Sequence, residues 1–568
     1  MLKTRRAKTA LALVIVTAFV VVWLFWNRIT QTDLAMYAPA DCLAFVEAND
    51  LPAAALGLES TDAWRALAGP VGARSSLLPS RWFIRLARWT GIGSADAILL
   101  ARSQVAIVFT GAEANQEGPT LTIKPLATLV IETHTTQRRM RPTLEQHIGD
   151  LARRVYGEPV LSRKQIAGSD LSEWSSADGS RHIVAAFADT VAIIGNDEPS
   201  VLHCLEARQG KRAALAGEKQ LDDLRKRLDA PNASVFGFVS KTGVKALLQA
   251  FALRGASSPN DLTASQIFSD TVGGLVDGLG WSSRFIDGMA EDRSSITLSQ
   301  GVADKLRSSF VPESKLALAD RAFVPVDAPS ISLYHFRDVE GLWRDLNAVI
   351  ASHADLIGAI AARPVLRGIL KPYGIVDAEA FVHAAGTRIQ TIRLEENSPA
   401  VLVTDSFDRP GLRKLAQQRL GPKPKVENVG DFELMLSTTD NWSASFADNQ
   451  FLIGPADAVR RCLQAKAQSL TSTDAFGKSQ RLVDVSLPLS VVTFVKDQHA
   501  AISFVEVFSE QQRSAFSTNA PAIEAASRSL PYAVSVIMLK DSGLEWTSRS
   551  SFGLVGSLLV TLTPETTR

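Results

Sequence analysis

Two tryptophan–arginine segments contain the residues of this chain best suited to hold a ligand. The first places Trp281 three residues before Arg284, and the second places Trp546 three residues before Arg549. A guanidinium group binds carboxylates through two parallel hydrogen bonds and stacks on indole rings, so each segment could form part of a binding groove. The interpretation that we favour is structural, with each tryptophan a mostly buried core anchor and each arginine paired with a nearby carboxylate. We retain these residues as binding candidates.

The sequence lacks the usual motifs of catalysis and cofactor binding. It contains no HExxH helix, no GxxxxGK[ST] phosphate loop, no GxSxG elbow and no CxxC pair. None of the eight histidines is spaced from another as metal ligands are. His203 adjoins Cys204, but neighbours on a helix point to different faces and would not share a metal ion. We therefore predict no catalytic residues, no metal site and no cofactor.

Other reactive or charged residues have simpler structural explanations. Cys204 and Cys462 lie in helix-like runs, and we expect them to pack as small apolar side chains. Asp50 and Asp338 each follow the first predicted strand of a half and precede a helix pattern. Aspartate at such a place accepts hydrogen bonds from the free N–H groups of the first helical turn, which predicts N-caps. The alternative is a ligand contact at a strand end.

The tryptophan segments close a series of matches between the two halves of the chain. The matches keep one order along both halves, so we predict two tandem copies of one domain at residues 38–300 and 324–568, with a linker at 301–323. The pairs are Pro39-Ala40-Asp41 with Pro325-Val326-Asp327, Gly91-Ile92 with Gly374-Ile375, Arg141-Pro142 with Arg409-Pro410, Phe187-Ala188-Asp189 with Phe446-Ala447-Asp448, and Cys204-Leu205 with Cys462-Leu463.

The elements that must position these residues are short strands joined mainly by hairpins. Asp178-Gly179 sits between two β-rich runs, and Asp287-Gly288 or the longer polar turn after it closes another hairpin. Helix patterns do not alternate with strands one for one, which favours an α+β fold with largely antiparallel sheets over a doubly wound sheet. The apolar tail segment, residues 552–560, is predicted to be a strand because it is too short to span a membrane.

The N-terminus predicts a membrane anchor. Residues 9–26 are apolar apart from Thr9 and Thr17, and at 1.5 Å per residue a helix of that length reaches about 27 Å, close to the thickness of a bilayer core. Basic residues concentrate in the tail formed by residues 1–8, which places that tail in the cytoplasm and the bulk of the chain in the periplasm or exterior. A cleaved signal peptide is the alternative, but the run ends in bulky residues rather than in a small-residue cleavage site.

Composition excludes one class of partner. The chain has 60 Lys plus Arg against 59 Asp plus Glu, and this near balance, a formal net charge of +1, gives no electrostatic case for binding nucleic acid. Its 46% hydrophobic content is typical of a folded protein. The predicted partners are therefore the inner membrane, through the N-terminal helix, and other envelope proteins.

The segment Pro39-Ala40-Asp41-Cys42-Leu43-Ala44-Phe45-Val46-Glu47-Ala48-Asn49-Asp50-Leu51 resembles the start of a family of exported bacterial proteins of unknown function. In that family a Pro-Ala-Asp strand entry leads to a Val-Glu-x-x-Asp segment and a helix behind an N-terminal anchor. The run Val191-Ala192-Ile193-Ile194-Gly195-Asn196, followed by a helix, is similar to its second signature. This chain departs from the pattern at Cys42, where small polar residues are usual. The resemblance implies an envelope location and repeats, but no activity.

These observations predict a single-pass protein of the inner membrane with a non-catalytic binding or scaffolding role. One alternative is an envelope hydrolase whose catalytic residues converge only in the folded protein. Another is a carrier that holds an apolar ligand between the two copies. Convergent titratable groups in a cleft would favour the hydrolase, and a large apolar cavity would favour the carrier.

Overall fold

A computed structural model describes residues 31–73, 103–117, 120–166, 168–255, 266, 269–316, 323–353, 368, 370–395, 398–465, 470, 473–508 and 513–562. The predicted tail (residues 1–8), the predicted membrane helix (residues 9–26) and the Gly91-Ile92 motif lie outside these residues. In the described part of the chain, no helix combines the length and the apolar character needed to cross a bilayer.

Twenty antiparallel strands of the described residues form one continuous sheet. The first half contributes β1 (Ala44–Ala48), β2 (Gln104–Glu117), β3 (Thr120–Glu132), β4 (Val160–Ile166), β5 (Ser169–Ser175), β6 (His182–Ala188), β7 (Val191–Gly195), β8 (Val235–Ser240), β9 (Val276–Ile286) and β10 (Met289–Leu298). The second half contributes β11 (Ser330–His335), β12 (Ala385–Arg393), β13 (Val401–Ser406), β14 (Lys425–Val429), β15 (Phe432–Leu436), β16 (Trp442–Ala447), β17 (Gln450–Pro455), β18 (Val491–Val495), β19 (Ala533–Lys540) and β20 (Gly543–Ser550).

Helices pack on both sides of this sheet and connect its strands. In the first half they are α1 (Leu51–Glu59), α2 (Asp62–Val71), α3 (Gln137–Tyr156), α4 (Glu198–Arg208), α5 (Lys219–Arg227), α6 (Lys241–Gly255) and α7 (Val302–Phe310). In the second half they are α8 (Val339–His353), α9 (Ala378–Ala384), α10 (Arg409–Leu420), α11 (Ala456–Gln464), α12 (Asp474–Gln480), α13 (Gln498–Val507), α14 (Arg513–Arg528) and α15 (Gly553–Leu562). The prediction of an α+β fold with a largely antiparallel sheet is confirmed.

The two halves place their strands in the same order. In the first half the hydrogen-bonded order is β4-β5-β6-β7-β3-β2-β1-β8-β9-β10. In the second half it is β14-β15-β16-β17-β13-β12-β11-β18-β19-β20. The turns after β6 and β16 also agree, because Asp189 and Asp448 both adopt a left-handed conformation there, with φ of 50° and 52°.

Local sequence accounts for several of these elements. The β9–β10 hairpin turns at Asp287 and Gly288, whose φ angles of 51° and 75° suit the two-residue turns that match the twist of a hairpin. Asp50 caps α1 by accepting a hydrogen bond from the N–H of Ala53 at 2.8 Å, and Asp338 accepts one from the N–H of Gly341 at 2.8 Å. The predicted N-caps are therefore confirmed.

Apolar clusters hold the helices against the sheet. In the first half Phe45, Phe236 and Cys204 belong to one buried cluster, and in the second half Leu333, Phe494 and Cys462 belong to another. Both cysteines are free and fully buried, as predicted, and burial in apolar surroundings raises the pKa of each to about 12.

The halves are joined edge to edge at β10 and β20, and we call β9, β10, β20 and β19 together the seam. Residues Ala290–Thr297 pair with Gly543–Ser550 along the junction. The last helix of each half crosses to the other half: α7 packs over β19 and β20, and α15 packs over β9 and β10. Residues 302–310, within the predicted linker, are thus a packed helix.

The predicted strand at residues 552–560 is wrong, because this segment forms α15. A residue of the first half caps the N-terminus of this helix: Asp292 Oδ2 accepts a hydrogen bond from the N–H of Leu554 at 2.9 Å. Phe552 and Val555 then enter a buried cluster that includes Trp281. A helix end capped by a residue 262 positions away cannot be inferred from local periodicity.

Candidate functional site

The two arginine candidates meet at the seam on a single buried carboxylate. Arg284 on β9 and Arg549 on β20 both lie directly opposite Glu291 on β10. Directly opposite side chains on antiparallel strands project to the same side of the sheet, so the groups converge. Arg284 Nη2 lies 2.7 Å from Glu291 Oε1, and Arg549 Nη2 lies 2.8 Å from Oε2. Arg293 Nε adds a third contact at 2.9 Å.

Glu291 is only 2% exposed, so its charge depends on these partners. Burial alone would raise its pKa, but hydrogen bonds from Arg284 and Arg549 and the charge of Arg293 outweigh burial and hold the pKa below its usual value. Its two oxygens accept four hydrogen bonds from the three arginines, and Arg549 Nη2 adds an ion-pair contact. The arginines therefore contribute to the junction of the halves rather than to an open groove.

The two tryptophan candidates lie on either side of the same strand. Trp281 on β9 and Trp546 on β20 are both opposite Ser294. Trp281 is buried, and its Nε1 donates to Asp292 Oδ1 at 3.3 Å. Trp546 is 47% exposed, so the expectation of a mostly buried core anchor holds for the first tryptophan and is wrong for the second.

The tryptophan match does not follow the strand order. Trp281 lies on the ninth strand of its half, whereas Trp546 lies on the tenth. The apolar clusters of the described residues include Trp281 but not Trp546. Similar residues at the two places thus face different surroundings, because one strand is internal to its half and the other forms the junction.

A different set of residues lines a cleft in the second half, which we call the His335 cleft. Its floor is one face of β11, β12 and β13, because His335 is opposite Arg388, and Leu333 is opposite Gln390. The segment formed by residues 314–316 lies across from this face. Together they enclose a cavity of about 230 Å³, lined by Ser314, Lys315, Leu316, Leu333, Tyr334, His335, Thr387, Arg388, Ile389, Gln390, Val403, Thr404, Asp405 and Gln450.

Two buried polar atoms of the cleft have no partner among the described residues. His335 is 7% exposed, its Nε2 lies 3.4 Å from Ser314 Oγ, and its Nδ1 makes no hydrogen bond. The Nε2 of Gln390 is likewise buried and unpaired. Burial, and then the charge of Arg388, hold the pKa of His335 below its ordinary value, so the imidazole is neutral at pH 7. Unpaired buried polar groups destabilise a fold by about 1–3 kcal/mol each, and a bound ligand would satisfy them.

Charged residues surround the mouth of the cleft. Arg388 Nε donates to Asp405 Oδ2 at 2.9 Å, and the arginine side chain is 62% exposed. Beyond this pair the cleft opens into an adjoining depression of about 680 Å³, which shares Arg388 and Asp405 and includes Phe407. The ring of Phe407 is 82% exposed and is therefore accessible beside the opening.

The corresponding place in the first half is filled. Glu132 on β3 and Asp405 on β13 occupy matching positions. Glu132 lies opposite Val191, the first residue of β7, and Asp405 lies opposite Gln450, the first residue of β17. Gln104 then matches Arg388, because Gln104 lies opposite Glu132 and Arg388 forms an ion pair with Asp405. Asn49 and His335 match as well, because each lies eight residues after the aspartate of the shared Pro-x-Asp motif.

Hydrogen bonds close this first-half cluster completely. Gln104 Nε2 donates to Asn49 Oδ1 at 2.8 Å and to the carbonyl of Thr32 at 2.9 Å, while Gln104 Oε1 accepts from the N–H of Thr32 at 2.8 Å. His134 Nε2 lies 3.1 Å from the same Oε1, and the Tyr37 hydroxyl donates to Glu132 Oε2 at 3.2 Å. The segment before β1 therefore seals the first-half site, whereas the described residues before β11 leave His335 Nδ1 unpaired.

Sequence reasoning missed the cleft. His335 was one of eight histidines without a metal-ligand spacing, and its partners lie 53 and 70 positions further along the chain at Arg388 and Asp405. The signal that could have found it is the difference between halves: the first-half counterparts of His335 and Arg388 are Asn49 and Gln104. That difference becomes visible only once the strand registers are known.

Comparisons with known proteins add no relative. No family model, no curated protein and no solved structure matches the chain. Within the described residues, no group of three or more His, Cys, Asp or Glu side chains is arranged to hold a metal ion.

Proposed function

We propose that this chain is a non-catalytic binding protein of the bacterial cell envelope. In this proposal residues 9–26 anchor it in the inner membrane and the bulk of the chain lies in the periplasm or exterior, where it binds a small polar ligand. The observation that carries the binding role is the His335 cleft, in which His335 Nδ1 and Gln390 Nε2 are buried and have no partner among the residues that the structure describes. Such atoms are the features that a ligand would satisfy.

The proposal includes a duplication, with copies at residues 38–300 and 324–568. The shared strand order supports it, as do the left-handed turns at Asp189 and Asp448 and the buried cysteines on α4 and α11. After duplication one copy can close its site for stability while the other keeps it open. The closed cluster around Gln104 and the open cleft around Gln390 are consistent with that division.

The hydrolase alternative is supported by one contact in the same cleft. Ser314 Oγ lies 3.4 Å from His335 Nε2, a nucleophile–base arrangement at the limit of hydrogen-bond distance. A working base also needs a group that orients the imidazole through its other nitrogen, and His335 Nδ1 has no partner among the described residues. The geometry therefore favours binding over hydrolysis.

The carrier alternative fits less well with the cavity between the halves. The described residues form a space of about 580 Å³ there, and charged side chains contribute to its lining, including Asp62, Arg65, Asp287 and Lys478. An apolar ligand would desolvate these groups without pairing them, which is unfavourable.

A ligand screen tests the binding role. The full chain in detergent is screened by thermal shift against sugars, amino acids, short peptides and organic acids. Hits are repeated on Gln390→Glu and on the matched surface variant Gln418→Glu, whose side chain is exposed on α10. We expect at least one class to raise the melting temperature of the wild type and of Gln418→Glu, but not of Gln390→Glu. Equal stabilisation of all three proteins would rule out the cleft.

Two further measurements test the rest of the proposal. A periplasm-only reporter fused after Arg568 should be active, and a cytoplasm-only reporter should not. An activated ester tests the hydrolase alternative: a burst of product that depends on Ser314, and is lost in Ser314→Ala, would replace binding by covalent catalysis.

A further inference from the structure

The free polar atoms of the His335 cleft are hydrogen-bond donors. The Ser314 hydroxyl can donate to His335 Nε2 at 3.4 Å, which leaves the proton of the neutral imidazole on Nδ1. Gln390 Nε2 is a donor as well, and Lys315 is one of the lining residues. Arg388 uses its Nε for Asp405, and its exposed guanidinium carries four further N–H groups. The cleft therefore presents donors and calls for an acceptor-rich, negatively charged group.

The same cavity has an apolar part. Leu316 and Leu333 are buried at its wall, and Val403 lies opposite Gln390 on the floor. A bare inorganic oxyanion would leave much of the cavity unfilled, because about 230 Å³ is several times the volume of one water molecule, ~30 Å³. The occupant should therefore combine an anionic end with a short hydrocarbon portion.

We infer that the cleft binds a small organic acid, whose carboxylate accepts hydrogen bonds from Gln390 Nε2 and His335 Nδ1 and whose hydrocarbon part lies on Leu316, Leu333 and Val403. Lys315 and Arg388 bring two positive charges to the lining against the one negative charge of Asp405, which Arg388 already pairs, so one net positive charge remains for the carboxylate. This inference rests on the proposed binding role of the cleft and gives its ligand class.

The first half supports this inference by what it lacks. Ala106 there lies two residues after Gln104, as Gln390 lies two residues after Arg388, so the closed copy has no amide donor at that place. Gln104 and Asn49 satisfy each other at 2.8 Å instead of presenting free N–H groups. A carboxylate therefore has a complement in the second half only.

Calorimetric titration of the full chain in detergent tests the ligand class. The probes are sodium acetate, butyrate, hexanoate and benzoate, with hexanamide as the neutral match for hexanoate and inorganic phosphate as the bare oxyanion. The variants are Gln390→Glu, which keeps the shape of the side chain and replaces its donor by a carboxylate, and His335→Asn, which installs the residue of the closed copy. Gln418→Glu is the matched control for added charge, and circular dichroism checks that each variant is folded.

We expect at least one carboxylate to bind at least tenfold more tightly than hexanamide and phosphate. We expect Gln390→Glu to weaken carboxylate binding at least tenfold, His335→Asn to weaken it severalfold, and Gln418→Glu to leave it unchanged.

Equal binding of hexanamide would show that the cleft does not select a carboxylate, while leaving the cleft a binding site. Phosphate as tight as the best carboxylate would replace the organic acid by a bare oxyanion. Absence of carboxylate binding below about 10 mM would overturn the inference, and hits of another class in the thermal-shift screen would then show that the binding role itself survives.

Discussion

The same place in the sheet is a sealed cluster in one half of the molecule and an open cleft in the other. In the first half, Asn49, Gln104 and Glu132 are joined with Tyr37 and His134 into a network that uses both ends of the buried amide. In the second half, the corresponding residues are His335, Arg388 and Asp405, and a cavity of about 230 Å³ lies beside them. The shared strand order thus brings polar side chains together at the same place in both halves. The segment before the first strand of the first half supplies hydrogen-bond partners for them.

The largest expected effect concerns the two tryptophans of the seam. Trp281→Ala should lower the free energy of unfolding by about 3–5 kcal/mol, because it empties a buried aromatic site. Trp546→Ala should cost less, about 1–2 kcal/mol, since nearly half of that side chain is already in water. Denaturant unfolding of both variants measures the difference. Equal losses would mean that the partial exposure of Trp546 does not reduce its contribution to stability.

The seam carboxylate is expected to be the next most sensitive position. Glu291→Ala leaves three guanidinium groups without their shared partner, which should cost about 3 kcal/mol. Glu433→Ala is the matched control, because that side chain is exposed on β15 and should change stability by less than about 0.5 kcal/mol. A loss below about 1 kcal/mol at Glu291 would show that the halves do not depend on this contact.

The pH dependence of the same group has a definite sign. The pKa of Glu291 is lower in the folded protein than its usual value of 4.5, so its stabilising contribution is fully present above pH 4.5 and is lost as the pH falls through the folded pKa. The stability gap between the wild type and Glu291→Gln should therefore be constant from pH 7 to about pH 5 and should shrink at lower pH. A gap that widens on acidification would contradict the direction of the shift.

A matched pair of substitutions compares the sealed cluster with the cleft directly. Gln104→Ala removes a buried amide that bonds Thr32, Asn49 and His134, and should cost about 2–3 kcal/mol. Arg388→Ala removes one ion pair of an exposed side chain, which is worth at most about 1 kcal/mol. Thermal and denaturant unfolding of both variants measure the ratio. If Arg388→Ala costs as much as Gln104→Ala, the cleft serves stability in the same way as the sealed cluster.

The sequence predicted those features that depend on local chemistry. Turn residues such as Asp287-Gly288, the caps at Asp50 and Asp338, and the burial of Cys204 and Cys462 follow from the conformational preferences of neighbouring residues. The antiparallel α+β class follows from the frequency of hairpins. The order of the matched motifs also anticipated that both halves would place their strands alike.

Long-range pairing accounts for what could not be predicted. The helix at Gly553–Leu562 depends on a cap from Asp292, and Arg284 and Arg549 meet only because β10 and β20 form a junction. The His335 cleft depends on the register of β11, β12 and β13, which brings residues 335, 388 and 405 together. Periodicity along one segment contains no information on these contacts.

The smallest expected change in stability is at Gln390, and it is expected only if the cleft is an open site. Without ligand, the buried Nε2 of Gln390 has no partner in the described part of the chain, so it should destabilise the fold slightly. Gln390→Met keeps the length of the side chain and removes the unsatisfied donor, and it should raise the free energy of unfolding by up to about 1 kcal/mol. Adding a saturating carboxylate should reverse the ranking, because the ligand stabilises only the protein that binds it. Gln418→Met on the exposed face of α10 should change stability by less than about 0.5 kcal/mol with or without ligand. A loss of more than about 1 kcal/mol in Gln390→Met without ligand would show that this amide is already satisfied within the protein, and the second half would then be closed like the first.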